Sequence, residues 1–396
     1  MTMAAVIESR TAKTQTWSTP NRIAGVDIMH DLAGAEAIWR SFESSKQSGT
    51  PYQRYDFIAS WQHQVGEREG LRPFIVVAHD SERQPVLLLP LASKTVCGVN
   101  CASFMGGKHS TFNMALVDRD FAANATHADM QALVAAIAQQ SRADLLALRQ
   151  QPLRWHDLPN PFSLLPHQPS VNDCPVLAIE PGAPPAALIS NSFRRRLKGK
   201  ERKLQPLSGY RYHLATDDRD IVRLLDWFFR VKPQRMAEQG LPNVFAEPGI
   251  EAFVRAACLT PLSDGGRVID IHALECDDEV IAIFAGVSDG YRFSMMFNTY
   301  TMSPSAKYSP GLILMRDIID HYAGQNYRAF DLGIGSDEYK RLFCKDDEEI
   351  FDSFIPFTFR GRLAASAMSG LNRAKRTVKH NPALLDIAQN LRSMFR

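Results

Sequence analysis

The sequence predicts an α/β fold that is built twice along the chain, each copy a mostly antiparallel sheet flanked by helices. Three observations predict it. The chain has 396 residues, 45% hydrophobic and 22% charged, which is globular composition with length for two or three domains. Nine of its 23 prolines fall within residues 152–186, between two parts of similar size. The elements predicted on either side of this break follow the same order.

Both parts read as two helices, a strand pair, a third apolar strand, a helix and a closing strand. In the first part these elements are predicted at 31–45, 55–67, 73–80, 84–92, 99–107, 127–141 and 143–150. In the second part they are predicted at 218–239, 248–259, 267–276, 279–287, 291–301, 310–323 and 327–334. Residue identity between the parts is poor, so the order of elements repeats and the sequence does not. A period this long indicates a duplicated domain rather than a solenoid.

The domain boundaries follow from the proline-rich break. Proline lacks an N–H and fixes φ, so this stretch is predicted as a linker or an extended edge rather than a central strand. We expect a mobile N-terminal arm, an N-terminal domain, the linker, a C-terminal domain and a basic helical tail, at residues 1–25, 26–151, 152–186, 187–360 and 361–396.

Composition excludes several classes of protein. The formal net charge of +2 gives no reason to expect a general nucleic-acid binder. The six cysteines are scattered without a CxxC pair, so no metal site is predicted. No stretch reaches the roughly 18 apolar residues of a membrane span, and the N-terminus lacks the apolar block of a signal peptide. We therefore expect a cytoplasmic protein, and the sequence leaves its oligomeric state open.

The segment 291–345 has the pattern of a site. A strand leads through a short polar loop into a helix, with Ser309 predicted as N-cap, Pro310 at the first helical position, and Gly311 leaving room for an approaching molecule. A helix N-terminus favours a phosphate or pyrophosphate, and Lys307 adds positive charge. The alternative is a well-capped helix without a ligand.

Other segments also offer polar groups. Lys108 and His109 follow two glycines, where a functional loop and a plain glycine turn explain the residues equally well. Residues 193–204, FRRRLKGKERKL, carry seven Lys/Arg and one Glu, with apolar residues near one helix face. They suit a phosphate-rich ligand or polymer, or else form a solvated helix. The basic tail could contact anionic lipids, although a loosely packed tail also explains it.

The stretch KYSPGLILMRDIIDHYAGQNYRAFDLGIGSDEYKRLF resembles the GNAT-superfamily acyltransferase-like proteins of the cellulose-biosynthesis CelD/BcsL type. The shared pattern is an SPG loop opening a helix, then a strand and D-x-G-x-G-x-x-x-Y-K. The basic run 193–204 and the GGKHSTFN segment at 106–113 also match the family, so the resemblance covers about residues 30–360. It implies a tandem GNAT fold related to the Fem-type aminoacyltransferases.

The resemblance also implies roles. In ordinary GNAT domains the loop before the long helix has the form Q/R-x-x-G-x-G/A and binds the pyrophosphate of acyl-CoA, whereas this chain has AKYSPG there. The implied cofactor-binding residues are Asn298, Lys307, Tyr308, Ser309, Pro310, Gly311 and Leu312. The implied catalytic residues are Tyr339 as acid, Asp331 or Glu338 as base, and Lys340 orienting the acceptor. Lys108, His109 and Arg195 are the candidate substrate-binding residues.

The resemblance implies direct acyl transfer in a ternary complex. An amine attacks the thioester carbonyl, and backbone N–H groups near Phe297–Asn298 stabilise the oxyanion. The expected function is therefore an acyl-CoA-dependent, most simply acetyl-CoA-dependent, N-acyltransferase without a metal. Its acceptor would be a small amine, an amino sugar or a polysaccharide or envelope precursor. Two alternatives stay open: a Fem-like transferase using aminoacyl-tRNA, and a scaffold for polysaccharide biosynthesis that has lost catalysis.

Overall fold

A computed structural model describes residues 22–381, except Ser45, Asp278 and Ser336. Most of the predicted N-terminal arm, residues 1–21, and the end of the predicted tail, residues 382–396, lie outside this range. Within the described ranges, no helix is both long enough and apolar enough to cross a membrane.

The described strands divide at residue 170, which separates the two halves of the chain. Up to residue 169 they are β1 Gly25–Met29, β2 Gln47–Ser48, β3 Arg72–His79, β4 Pro85–Val96, β5 Val99–Phe104, β6 Leu116–Asp118, β7 Leu145–Pro152, β8 Arg154–Trp155, β9 Leu158–Pro159 and β10 Gln168–Pro169. From residue 170 they are β11 Cys174–Ala178, β12 Arg211–Leu214, β13 Asp270–Cys276, β14 Glu279–Ser288, β15 Arg292–Tyr300, β16 Ala329–Asp331, β17 Asp346–Glu348 and β18 Ile350–Pro356.

The α-helices are α1 Leu32–Ser41, α2 Tyr55–Trp61, α3 Arg119–Asn124, α4 His127–Gln140, α5 Pro185–Leu188, α6 Asn191–Glu201, α7 Asp218–Glu238, α8 Ile250–Leu259, α9 Pro310–Gly324 and α10 Phe359–His380. Apolar residues at helical spacing form them: Met130, Leu133 and Ile137 of α4 are buried, as are Met315, Ile318 and Ile319 of α9. The helices predicted from periodicity are therefore present, although α2 is shorter than predicted and continues as a π-helical turn, Gln62–Gly66.

The strands form two large sheets of similar design. The first sheet has the order β1-β3-β4-β5-β7-β18-β10; β6 also pairs with β4, and β2 pairs with β6. The second sheet has the order β12-β13-β14-β15-β16-β11-β17. Neighbouring strands are antiparallel, except for one parallel pair in each sheet: β5 with β7, and β15 with β16. A helix connects each parallel pair, α4 in the first sheet and α9 in the second. The predicted fold, mixed α/β with mostly antiparallel sheets flanked by helices, is confirmed.

The two halves exchange strands. β11 follows the first half in sequence but lies in the second sheet, beside β16. Reciprocally, β18 follows the second half but lies in the first sheet, beside β7. α10 then packs on β18, β5 and β7. Each sheet is thus completed by a segment that comes after the other part of the chain. In the predicted division, β11 lies within the linker and β18 within the C-terminal domain.

The proline-rich segment differs from its prediction at β11, which lies inside the second sheet, between β16 and β17. Pro175 is tolerated there because the two neighbours use different ends of β11. Val176–Ala178 pair with β16, and Cys174–Val176 pair with the three-residue strand β17. The residue without an N–H therefore lies beyond the ladder with β16.

A buried ion pair in the second half packs directly against the first half. Arg292 of β15 donates from Nε to Asp331 Oδ2 at 2.7 Å, and its guanidinium lies over the rings of Phe112 and Trp155, 4.5 and 5.0 Å from their centroids. Beside it, the Trp155 indole donates to Asp289 at 3.1 Å. One hydrophobic core contains residues of both halves, so the two sheets pack together as one body.

Candidate active site

The candidate site opens where the parallel strands of the second sheet separate. β15 and β16 pair only at Arg292–Ser294 and Ala329–Asp331. β15 then continues to Tyr300, whereas β16 ends at Asp331. Two cavities lie along this gap: the helix cavity, about 590 Å³, beside the N-terminus of α9, and the interface cavity, about 420 Å³, between the two halves.

A bulge shapes β15 where it enters the gap. Ala285 of β14 pairs with Phe297, but the next residue, Gly286, pairs with Met295, so Met296 has no partner in the ladder. A Cβ on Gly286 would meet the carbonyl of Ser294 at 2.4 Å, so only glycine permits this close strand approach. Met295, Met296 and Phe297 all line the interface cavity. The bulge therefore turns the backbone of β15 toward the space where two ligands could meet.

The N-terminus of α9 forms one end of the helix cavity. Ser309, Gly311 and Leu312 line it together with Ala306. Ser309 occupies the N-cap position, as predicted, but its predicted capping bond is absent: the residue is left-handed, with φ 57°, and its side chain makes no bond with the first turn. Its Oγ instead accepts a hydrogen bond from Lys200 Nζ at 2.6 Å. The Leu312 and Ile313 N–H groups bond to the Ser309 carbonyl, so among the described residues the Gly311 N–H is the first-turn donor left for an anion.

Two cations of α7 form the opposite wall of the helix cavity. The Arg235 guanidinium lies 3.5 Å from the centroid of the Tyr300 ring. Lys232 Nζ donates to the carbonyl of Asn298 at 2.9 Å. Burial, reinforced by the nearby Arg235, lowers the pKa of Lys232. Arg235 and the nearby Lys200 give this end of the gap positive charge, which Asp337, in the same lining, partly offsets.

Lys232, Met236, Asn298 and Tyr339 line both cavities and form the wall that separates them. The Tyr339 phenol hydrogen bonds with the Asn298 side chain, and burial raises its pKa to about 12. The phenol therefore keeps its proton at neutral pH. A protonated tyrosine between two cavities can donate a proton to a group that leaves.

The interface cavity brings the first half into the site. Lys108 and His109 line it opposite Tyr339, and Lys108 pairs with Glu247 of the second half. The Trp61 indole donates to His109 Nδ1 at 3.0 Å. Burial lowers the pKa of His109 to about 4. The ring is thus neutral, and because Nδ1 accepts a bond, Nε2 carries the proton and acts as a donor.

The structure argues against the predicted roles of three residues after β16. Asp331 is fully buried, bound by Arg292 and by Ser294 Oγ at 2.5 Å, so it has no access to a substrate. Lys340 lines the interface cavity, but it is buried and its ammonium donates to the carbonyls of Gly333 and Ile334 at 3.1 and 2.9 Å, which holds their loop. Glu338 is exposed and lies outside both cavity linings. Strand-end position predicted reactive groups, but burial and pairing make two of them structural.

The remaining predicted residues divide similarly. Lys307 is exposed, 5.1 Å from the Tyr308 ring, and Pro310 is buried in the first turn. Neither they nor Tyr308 line the helix cavity. Arg195 is exposed on α6, away from both cavity linings. Of the three proposed substrate residues, the structure brings only Lys108 and His109 to the gap.

The contribution of α7 was not predicted from the sequence. Lys232 lies four residues after Phe228 and four before Met236, so it falls on the buried stripe of the helix. The sequence did contain a signal for this residue, namely a lysine on an apolar stripe. A buried cation of this kind needs a partner or a function.

One group of described residues has the composition of a metal site, namely His213, Asp220 and Glu275. Arg223 bonds to both carboxylates, and Arg211 bonds to Glu275 at 2.7 Å. The arginines already neutralise these acids, so an ion pair network explains the cluster.

Comparisons with known proteins agree with this architecture. A family model described as an acetyltransferase (GNAT) domain matches residues 191–341. No curated protein matches the chain. Among solved structures the chain is similar to FemX, with a TM-score of 0.56 and 9% identity over 82% of this chain and 96% of that chain. It is also similar to a conserved protein of unknown function from Bacteroides thetaiotaomicron, with a TM-score of 0.53 and 11% identity over 83% and 99%. L-PGS from Bacillus licheniformis gives a TM-score of 0.50 and 10% identity over 90% and 99%.

At these identities the structural likeness concerns the fold alone. The fold is GNAT-like, as the resemblance predicted, and residues 191–341 match an acetyltransferase domain of that type. The narrower CelD/BcsL type stays a prediction.

Proposed function

We propose that the protein is an acyl-CoA-dependent N-acyltransferase acting on a small amine, an amino sugar or a cell-envelope precursor. The observation that carries the proposal is the pair of cavities that share one wall, made by Lys232, Met236, Asn298 and Tyr339. Direct transfer needs two substrates that enter from different sides and meet at their reacting atoms. A cytoplasmic location and acetyl-CoA as the usual donor belong to this proposal.

The donor would occupy the helix cavity. Its pyrophosphate would lie at the open first turn of α9, near Gly311, with Arg235 and Lys200 supplying positive charge. Its thioester would extend along β15 toward Asn298. A Cβ on Gly311 would meet the Tyr300 ring at 3.6 Å, an ordinary contact, so the site tolerates alanine but a bulky side chain would enter the donor space.

The acceptor would occupy the interface cavity, whose described lining contains no carboxylate. Because no carboxylate of this lining stabilises the protonated amine, an acceptor bound there favours its neutral, nucleophilic form. Lys108 and the His109 Nε2–H can bind hydroxyl or anionic groups of the acceptor. These properties favour an amino sugar or a precursor with acidic groups over a simple hydrophobic amine.

In the proposed reaction the acceptor nitrogen attacks the thioester carbon, and the C–S bond breaks. The N–H of Met296, freed by the bulge, is the candidate donor to the oxyanion. Tyr339 would protonate the departing thiolate. Lys232 replaces Asp331 and Glu338 as the candidate base, because its lowered pKa makes the neutral amine accessible.

The proposal is tested by calorimetry with acetyl-CoA. We expect saturable binding that survives Gly311→Ala and falls at least about tenfold in Gly311→Trp, since the indole occupies the donor space. The matched control is Gly324→Trp at the other end of α9, where a Cβ meets nothing within 4 Å. If no acyl-CoA of any chain length binds the purified protein, the proposal is wrong.

The transfer step is tested with Tyr339→Phe, once acyl transfer to an amine has been detected. Loss of the phenol should lower kcat by about 10²-fold while acyl-CoA affinity changes little. An unchanged kcat would remove Tyr339 as the acid. Binding without transfer to any amine tested would favour a scaffold that has kept the fold.

A second candidate function is aminoacyl-tRNA-dependent transfer, favoured by one observation. Arg195, Lys198 and Lys203 are exposed on or just after α6, a helix that packs on α9 and reaches its N-terminus through Lys200. A polyanionic donor entering the helix cavity would meet these cations. Binding of tRNA should then fall steeply with salt and weaken further in the triple glutamine variant of these residues. Absence of tRNA binding at low salt would remove this candidate.

A further inference from the structure

The last described helix, α10, exposes a stripe of apolar side chains. Phe359 is 72% exposed, Leu363 60% and Leu371 55%, which places them among the most exposed large hydrophobic residues of the described chain. Their spacing of four and eight residues places them on one helix face, where exposed Ala367 and Ala374 continue the stripe. Exposing so much apolar surface on one face usually indicates an interaction site.

Basic residues border this stripe on both sides. At 100° per residue, Arg362 and Arg373 lie along one edge, Lys375 lies along the other, and Arg360 falls within the stripe between Ala367 and Leu371. Arg360, Arg362 and Lys375 are exposed. Residues 359–380 contain no Asp or Glu. The apolar face is therefore framed by positive charge alone.

The opposite face holds the helix on the protein. Thr358 caps the first turn by accepting from Gly361 N–H. Ala365 and Asn372 are buried, and Asn372 Nδ2 donates to Asp352 at 2.7 Å. Arg376 adds a bond to Asp173 at 3.0 Å. The helix is thus fixed by one face while its apolar stripe points outward, so the stripe is not needed to dock α10.

We propose that α10 is a membrane-docking helix that lies in the interface of an anionic lipid bilayer. Its apolar side chains would enter the boundary between headgroups and acyl chains, and the bordering cations would contact anionic headgroups. A second copy of this chain is disfavoured as the occupant, because pairing two such faces would bring the basic borders together. The inference is independent of the proposed transferase reaction, since α10 contributes no residue to the two cavities at β15.

The test is sedimentation of the full chain with vesicles of phosphatidylcholine alone or of phosphatidylcholine with 30% phosphatidylglycerol, at about 0.1 M salt. We expect binding to the anionic vesicles and at least tenfold weaker binding to the neutral ones. In Arg360→Gln/Arg362→Gln/Lys375→Gln, binding should fall on the order of 100-fold, since each cation near an anionic surface contributes about a fivefold factor. In Phe359→Ser/Leu363→Ser/Leu371→Ser it should fall below detection.

The control is Val96→Ser, which removes an exposed valine, 55% exposed, at the end of β4. It should bind anionic vesicles as the wild type does. Equal binding to both vesicle types would overturn the role of the cations, and absence of binding would overturn the proposal. A dimer that the apolar variant abolishes, without vesicle binding by the wild type, would assign the face to a second copy. Circular dichroism of each variant checks that α10 stays folded.

Discussion

The two halves build the same gap, but the cavities beside the second gap are larger. In each sheet a parallel strand pair joined by a helix is paired over three residues and then separates. In the first half a cavity of about 360 Å³ lies near the ends of β5 and β7, and Met368 of α10 lines it. In the second half, cavities of about 590 and 420 Å³ share a wall of polar residues.

The helix after each gap explains part of the difference. α4 begins with a capping box, in which the Thr126 side chain bonds to Asp129 N–H and the Asp129 side chain bonds to Thr126 N–H. α9 begins at Ser309 without a side-chain cap. The first helix caps its N-terminus with side chains, whereas the second leaves the Gly311 N–H available.

The strand before each gap explains the rest. β4 and β5 pair in regular register from Leu91–Phe104 to Val96–Val99, whereas β14 and β15 are interrupted by the bulge at Met296. At this position the two copies of the fold therefore differ by one cap and one bulge.

The largest expected effect comes from removing the strand that the second part lends to the first. A chain ending at Glu349 lacks β18 and α10, so β7 loses its antiparallel neighbour and the apolar surface beneath α10 is exposed. We expect loss of the cooperative thermal transition, followed by circular dichroism. A chain ending at Asn381 keeps every described element and should melt like the full chain. A cooperative melt of the shorter chain would mean that the halves are independent.

The buried ion pair that packs against both halves gives the next largest effect. Asp331→Asn should lower the free energy of unfolding by about 3–5 kcal/mol, because Arg292 then keeps a buried charge with a weakened partner. The matched change is Asp347→Asn, which breaks the exposed pair with Arg341 and should cost less than about 1 kcal/mol. Urea denaturation measures both. Equal costs would show that the interface does not depend on this pair.

A smaller effect concerns pH. Burial lowers the pKa of His109 to about 4, so between pH 6.5 and 4 the unfolded chain takes up a proton that the folded chain does not. Stability from the neutral ring is complete above about pH 6.5 and is lost as pH falls toward 4. Relative to His109→Gln, the wild type should lose about 2 kcal/mol across this window. Parallel stability curves for the two proteins would contradict a buried neutral ring.

The smallest effect compares the two helix starts. Thr126→Ala should lower the free energy of unfolding by about 1 kcal/mol, because it removes a working cap. Ser309→Gly should change it by less than about 0.5 kcal/mol, since losing the Lys200 bond is offset by easing a left-handed backbone. Chemical denaturation distinguishes them. A larger loss at Ser309 would mean that the second helix also depends on its first residue for stability.

Local pattern predicted much of this fold from the sequence. The 3.6-residue stripes of α4, α7 and α9 and the hairpin turns lie in short stretches of chain, so periodicity is enough to find them. The exchange of β11 and β18 depends on contacts between residues about 150–210 positions apart, which no local pattern records. The parallel pairing of β15 with β16 is non-local in the same way.

Part of the candidate site could be predicted from the sequence for a related reason. The SPG loop and Tyr339 are visible as residues at element ends, where functional groups concentrate. Asp331 looks the same in sequence but is sealed by Arg292, because burial is decided by a strand far away in the chain. Lys232 was missed since a helix interior offers no motif.

The strand exchange also determines when the first sheet can be completed during synthesis. When β7 leaves the ribosome, the strand that will cover it, Ile350–Pro356, has yet to be translated. At about 5–20 residues per second, that strand follows roughly 10–40 s later. During this interval the edge of the apolar strand Leu145–Pro152 that will pair with β18 has no partner. The exposed edge of β7 in the nascent chain can therefore pair with a wrong strand during this time, whereas β18 covers it in the folded protein.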